Sequence, residues 1–397
     1  MREKRKDTIV KTENVKQSME TEDKFFAVLF LLDRHTEYAA AKKLLAARNM
    51  QKHGKDKGGS PMRKIKYVFA LLAALLALTT AALAAEPGDA LVPVGEAVAI
   101  SLRCDGVVVS ALADIASEGG TCCPAGEAGV QAGDKIVAVN GERVTGAEDF
   151  LRRAAAFSGE GVTLSVERGG ETKTFAVTPK LGSGGTYQIG LWLRDGVTGV
   201  GTLTYYDPAT GRYGALGHGI SDEASGVLMP LRDGSVLSAV IADARPGGHG
   251  TAGELVGSFD PGDRIGGIER NCLFGIFGTL DAPPAGDAVE TASADAVKTG
   301  GATILSTVAG EDVRAYTVDI SRVYHDGGCT RFLITVTDPD LLAATGGIVQ
   351  GMSGSPILQD GRLIGAVTHV LLADPAKGYG VSIDDMLAAS AAQDKAA

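Results

Sequence analysis

The segment Gly351-Met352-Ser353-Gly354-Ser355-Pro356 sets one serine between two glycines, then runs into an apolar strand pair over residues 357–370, turned at Asp360-Gly361. A serine that attacks an acyl carbon needs an exposed hydroxyl, a base within hydrogen-bond reach and N–H groups converging on the developing oxyanion. Gly351 and Gly354 permit the unusual backbone angles that would turn the N–H groups of Gly351 and Ser353 toward one point. Ser353 is therefore a candidate nucleophile, and a small residue in a tight turn is the competing reading.

Six histidines are available as its base. His35 and His53 precede an apolar segment of export type, His249 lies in a glycine-rich stretch, and His325 stands at a strand end. His369 falls on the strand after the serine hairpin. His218, framed by Gly217 and Gly219 in "GALGHGISD", ranks only slightly above it by spacing. The acid partner must accept a bond from the imidazole Nδ1–H, which fixes the tautomer and stabilises the imidazolium. Asp222, Asp260, Asp263, Asp338 and Asp340 are candidates that spacing does not separate. Asp338, ending an apolar strand ahead of Pro339, is placed to be fixed and partly buried; Asp222 suits a turn or cap.

The elements that must position these groups are mostly strands. With 54 glycines among 397 residues and many Val, Ile and Thr runs, short strands joined by turns are expected, in more than one module. The net charge of −10, acidic throughout beyond residue 61, argues against nucleic acid as the main partner. Five cysteines form no CxxC pair and no zinc spacing, so they read as buried or incidental thiols. Residues 62–85 begin with Arg63, Lys64 and Lys66, continue as an apolar run and end in Ala82-Leu83-Ala84, the layout of a secretory signal peptide. The run is also long enough for an uncleaved anchor. Either reading carries residues 86–397 across a membrane. Residues 1–61 form an N-terminal extension, with Met62 the expected natural start and a cytoplasmic extension the alternative.

Within residues 89–181, "PAGEAGVQAGDKIVAVNGERV" resembles a PDZ domain. The resemblance implies capture of an extended peptide at a sheet edge, its carboxylate received by a loop at Val94-Gly95-Glu96-Ala97 and its backbone lying beside Val98-Ala99-Ile100. Glu96 departs from the apolar residue such a loop carries, so internal-peptide or regulatory binding is equally open. Within residues 182–397 the serine segment and its hairpin resemble the nucleophile loop of trypsin-like peptidases, which would put Ala366, Val367, Thr368 and His369 beside the substrate.

Together with "VTDPDLL" and "DPAKGYGV", these stretches resemble the SpoIVB peptidases of endospore-forming bacteria. The expected fold is mainly β: a PDZ domain followed by a trypsin-like β-barrel peptidase domain, behind an N-terminal signal or anchor helix. The resemblance implies a serine endopeptidase with His218, Asp338 and Ser353 as its set, Gly351 and Ser353 as oxyanion donors, and no metal or organic cofactor. It implies export to, or anchoring at, the inner forespore membrane, acting between the forespore membranes. It further implies self-cleavage and cleavage of the extracytoplasmic part of a membrane-bound regulator, which frees an intramembrane protease complex to process a pro-sigma factor. The PDZ domain would govern partner binding and self-association. A noncatalytic PDZ scaffold and a quality-control protease are the rival readings, and in the latter class the PDZ follows the protease rather than preceding it.

Overall fold

Alternation of apolar and polar side chains fixes how the strands face. In Cys329–Val336 every second residue, Thr330, Phe332, Ile334 and Val336, is buried and the others face outward. Such strands cannot leave one face wet on both sides of a small sheet, and here they close on themselves. Gly300–Thr307, Val313–Asp326, Cys329–Val336, Lys377–Ser382, Arg362–Val370 and Pro356–Gln359 form a closed antiparallel barrel. Its interior is filled by Ile304, Val318, Phe332, Ile334, Ile357 and Ile364.

A second ring, the first barrel in chain order with the closed barrel above as the second, closes through Ala97–Leu112, Leu191–Tyr206, Arg212–Ala215, Gly275–Leu280, Arg264–Cys272 and Asp233–Ser238, the last pairing back onto Ala97–Leu112. The molecule is therefore mainly β, as the sequence leads one to expect, and it holds two barrels. This computed structural model describes residues 90–117, 120–248 and 250–392. All of them belong to one compact unit, Ala85–Ala397. The signal or anchor segment 62–85, the extension before it, and His35, His53 and His249 lie outside the described residues.

The division between modules differs from the expected boundary at residues 181 and 182. Ala97–Leu112 and Leu191–Tyr206 each run for sixteen residues, about 50 Å of strand at the usual rise. Each serves both the barrel and the arm of the same sheet that extends from it. The stretch from Ala97 to Arg103 pairs with residues 196–202 inside the first barrel, whereas Val108 to Leu112 pairs with residues 191–194 in an arm of the same sheet that leaves the barrel and continues through Lys135–Val139, Val162–Arg168 and Glu171–Val177. The module expected to be PDZ is thus inserted into the first barrel between these two strands, and its nominal first strand belongs to the barrel.

The inserted module has its own core, including Val107, Val109, Ile136, Phe150, Leu164 and Val166. Asp134 in "AGDKI" is 1% exposed and accepts from both Nε and an Nη of Arg168 at 2.5 and 2.7 Å, and from the Gln131 N–H at 2.9 Å. Removing a buried carboxylate strands its guanidinium partner, at a cost of about 3 kcal/mol. Asp134→Ala should therefore lower the free energy of unfolding by that amount, shifting the urea midpoint downward in equilibrium unfolding; an unchanged midpoint would show that the pair is not structural.

Candidate active site

The serine segment is held by a strand of the other barrel. Thr202, fully buried on Leu191–Tyr206, donates its N–H to the Ser353 carbonyl at 3.0 Å and its hydroxyl to the Gly351 carbonyl at 2.8 Å. Gly354 donates to the Val367 carbonyl at 2.8 Å, and Ser355 accepts from the Val367 N–H at 2.9 Å. With these carbonyls engaged and Gly351 at φ 100°, the N–H groups of Gly351 and Ser353 are left without a protein acceptor among the described residues. Both residues line one cavity. Free donors beside a serine hydroxyl are part of what an oxyanion requires. The Ser353 hydroxyl rests on the Thr368 carbonyl at 2.6 Å, so it must rotate off that acceptor to react.

His218 faces the same cavity from the first barrel. It follows the strand Arg212–Ala215, and the chain turns into it through Leu216, a non-glycine residue at φ 70°. That conformation is uncommon for a branched side chain, and such strain is kept where the surroundings over-determine the turn. Nδ1 of His218 lies 2.9 Å from the Gly219 carbonyl. A carbonyl only accepts, so Nδ1 carries the proton and Nε2 keeps its lone pair, the tautomer a general base needs. Asn271 pins the next residues: its Oδ1 accepts from the Ile220 N–H, and its Nδ2 donates to the carbonyls of Ile220 and Met229. Nothing in "RNCLFG" singles Asn271 out beforehand, because its role depends on a strand distant in sequence. The same holds for Thr202.

His369, the other candidate base, stacks on His218 with ring centroids 4.5 Å apart. The cavity that both imidazoles line measures about 620 Å³. Of the expected substrate strand, Thr368 and His369 line it, whereas Ala366 and Val367 are fully buried beneath. His325 instead faces the Thr330 hydroxyl at 2.9 Å on the second barrel.

The acid assignment changes. Asp338 does not line the cavity: its carboxylate caps the helix Pro339–Thr345, accepting from the N–H groups of Asp340 and Leu341, and it also accepts from the Thr317 N–H. These backbone donors hold its carboxyl below the usual range, Leu341 chief among them. The position next to His218 Nδ1 is taken by a main-chain carbonyl. Asp338 reaches the site indirectly, because the helix it caps leads into residues 348–351 of the cavity wall. Asp260, Asp263 and Asp340 are likewise absent from that wall, and the one carboxylate on it is Glu223. Asp222 is buried behind the His218 loop. Among the described residues no group of three or more His, Cys, Asp or Glu side chains converges as a metal site would require.

The expected peptide loop is also corrected. The N–H groups of Val94 and Gly95 are bound to the Thr204 and Leu203 carbonyls, and the Glu96 carbonyl accepts from Leu203. Ala97 and Val98 pair on one side with Thr202 and Gly201, and Val98-Ala99-Ile100 pair on the other with residues 236–238. No edge is free there because this strand is a barrel stave. Among the described residues an open edge lies elsewhere: residues 191–194 pair with Ala97–Leu112 on one side only, beside the helix Ala147–Ala154.

Desolvation lowers the pKa of His218 below the ordinary imidazole value, partly opposed by the Gly219 carbonyl; desolvation, then His218 and Arg331, lower that of His369. Both rings therefore stay neutral to lower pH than a free imidazole. The acid limb of kcat/KM should fall below about 6.5, the unperturbed histidine value. The sign for stability follows: between the lowered folded values and about 6.5 the unfolded chain binds more protons, so stability declines as pH drops through that window. A pH–rate profile with its acid limb above 6.5 would contradict the burial of His218.

A family model described as SpoIVB peptidase S55 matches residues 185–387, and a PDZ domain model matches residues 116–168. The zinc metalloprotease RasP of Geobacillus kaustophilus is 29% identical over 144 residues, covering 28% of this chain and 33% of its own. The chain thus spans only a third of that relative's length. Two solved structures of the Rv3671c protease from M. tuberculosis are also similar. The active form is 17% identical, with a TM-score of 0.28, over 50% of this chain and 76% of that one; the inactive form is 18% identical, with 0.27, over 49% and 85%. The family match takes in His218, the serine segment and the hairpin behind it, more than half of the sequence, and the chain belongs to the SpoIVB peptidase S55 family.

Proposed function

We propose that this serine peptidase is a signalling endopeptidase of sporulation, with Ser353 as nucleophile and His218 as its base. The observation that carries the catalytic reading is the cavity on which Ser353, a correctly tautomerised His218 and two unclaimed N–H groups meet. The Ser353 hydroxyl leaves the Thr368 carbonyl, gives its proton to Nε2 of His218 and forms the Oγ–C bond to the scissile carbonyl. The oxyanion sits against the N–H groups of Gly351 and Ser353. The tetrahedral adduct collapses as imidazolium protonates the leaving amine, and water, deprotonated by His218, later releases the acyl group. The Gly219 carbonyl holds the ring in orientation throughout.

The substrate in this reading is the extracytoplasmic part of a membrane-bound regulator, and the chain also cuts itself. An extended peptide segment adds to the open edge at residues 191–194, which gives the PDZ domain its part in partner choice or self-association. Residues 62–85 would deliver the rest across the inner forespore membrane. Among the described residues no helix is long and apolar enough to span a bilayer, and that segment lies outside them. The test is genetic and chemical together. Replacing the chromosomal copy by Ser353→Ala should block pro-sigma processing in sporulating cells, while purified wild-type chain labels at Ser353 with a fluorophosphonate. Normal processing in the variant would refute the sporulation role; an unlabelled wild type would refute the nucleophile.

A further inference from the structure

Asp222 is fully buried four residues after His218, and the chemistry above does not use it. Its partners come from two directions. On its own loop it accepts from the Ser225 N–H and hydroxyl, both at 2.8 Å. From the inserted PDZ domain it accepts the Ser110 hydroxyl at 2.7 Å, and Arg194 Nε stands 3.3 Å from the same oxygen. Burial works against the charge, but the two serines and Arg194 outweigh it and hold the carboxyl below its usual range.

The strand register is built for this contact. Trp192 pairs with Ala111 and Leu193 with Val109, which leaves Ser110 as the extra residue of a bulge. Bulges re-aim a side chain out of the strand alternation, and this one turns the Ser110 hydroxyl onto Asp222. A second contact lies nearby: a side chain at Gly133, in the PDZ turn, would meet Val227 Cγ2 at 2.6 Å, so that turn rests directly on the tip of the His218 loop. Asn271 holds the loop from the barrel side.

We infer that Asp222 is a positioning residue, the joint through which PDZ strands carrying Ser110 and Arg194 set the His218 loop against Ser353. It rests on the serine-peptidase reading above. Arg194 is also the last residue of the open peptide edge, so the joint and that edge share one strand.

The experiment uses the full chain and a fluorophosphonate probe, following the maximal labelling rate and the half-saturating probe concentration separately. Ser110→Ala and Asp222→Ala should each lower the maximal rate at least tenfold with the half-saturating concentration within twofold. Ser110→Thr, which keeps the hydroxyl, should restore the rate to within twofold. Wild-type rates in a folded Ser110→Ala variant overturn the joint even if Asp222→Ala fails to fold; equal losses in Ser110→Ala and Ser110→Thr also overturn it. A wild type that does not label at all defeats the serine-peptidase reading instead.

Discussion

Ser353→Ala should reduce hydrolysis by about 10⁴- to 10⁶-fold while leaving the fold in place, because reactive groups that act as a unit are lost together when one is removed. In the resting molecule the hydroxyl makes one hydrogen bond, to the Thr368 carbonyl, so its removal costs about 1 kcal/mol of stability at most. His218→Ala should reach a similar floor, and the double variant should fall no further, since neither group reacts without the other. Intact-mass analysis of self-cleavage, with a quenched peptide spanning the first self-cleavage site, measures all three. Substantial turnover in a folded Ser353→Ala variant would return Ser353 to the status of a turn residue. Additive losses would mean that His218 acts somewhere other than on the Ser353 hydroxyl.

Local chemistry was legible in the sequence, and long-range pairing was not. Glycine spacing around Ser353 and His218 reports backbone freedom, which is a property of the residue itself; the structure sets both residues on one cavity. The strand alternation and the stretch "AGDKIVAVNG" similarly point to the right element types. The boundary differs where two sixteen-residue strands each run from the barrel into the arm of the same sheet, since nothing in "VPVGEAVAISL" tells a barrel stave from a peptide-binding edge. Val98 is therefore paired on both sides, while residues 191–194 keep an open edge among the described residues. Asp338 lies off the cavity wall for a related reason. Asp338 before a proline reads as a fixed carboxylate, and it is fixed, but by the backbone of the helix it begins. Thr202 and Asn271, which hold the serine and histidine segments, sit in ordinary strand text, and their importance exists only once the two barrels are closed.

Gly354→Ala is the second large effect expected, and it tests that closure directly. Gly354 has φ 99°, and a methyl group there would lie 2.0 Å from the Thr202 carbonyl oxygen and 2.5 Å from the Leu216 nitrogen. Both neighbours are backbone, and neither is free to retreat. Thr202 is bound on its other atoms to Ser353 and Gly351, and the Leu216 N–H donates to that same Thr202 carbonyl while its own turn presents His218. Relief must come from separating the serine segment from the first barrel. The cost should exceed about 4 kcal/mol, the range reached when overpacking and backbone strain combine. Activity should be lost with it, because the displacement moves the nucleophile and the histidine turn apart. Gly361→Ala is the matched control: φ is 78° and nothing lies within 4 Å, so strain alone acts and the cost should stay near 1 kcal/mol with hydrolysis retained. Urea unfolding of both variants separates the terms. If Gly354→Ala is no worse than Gly361→Ala, the serine segment does not pack against Thr202 and Leu216, and the meeting of Ser353 with His218 would need another support.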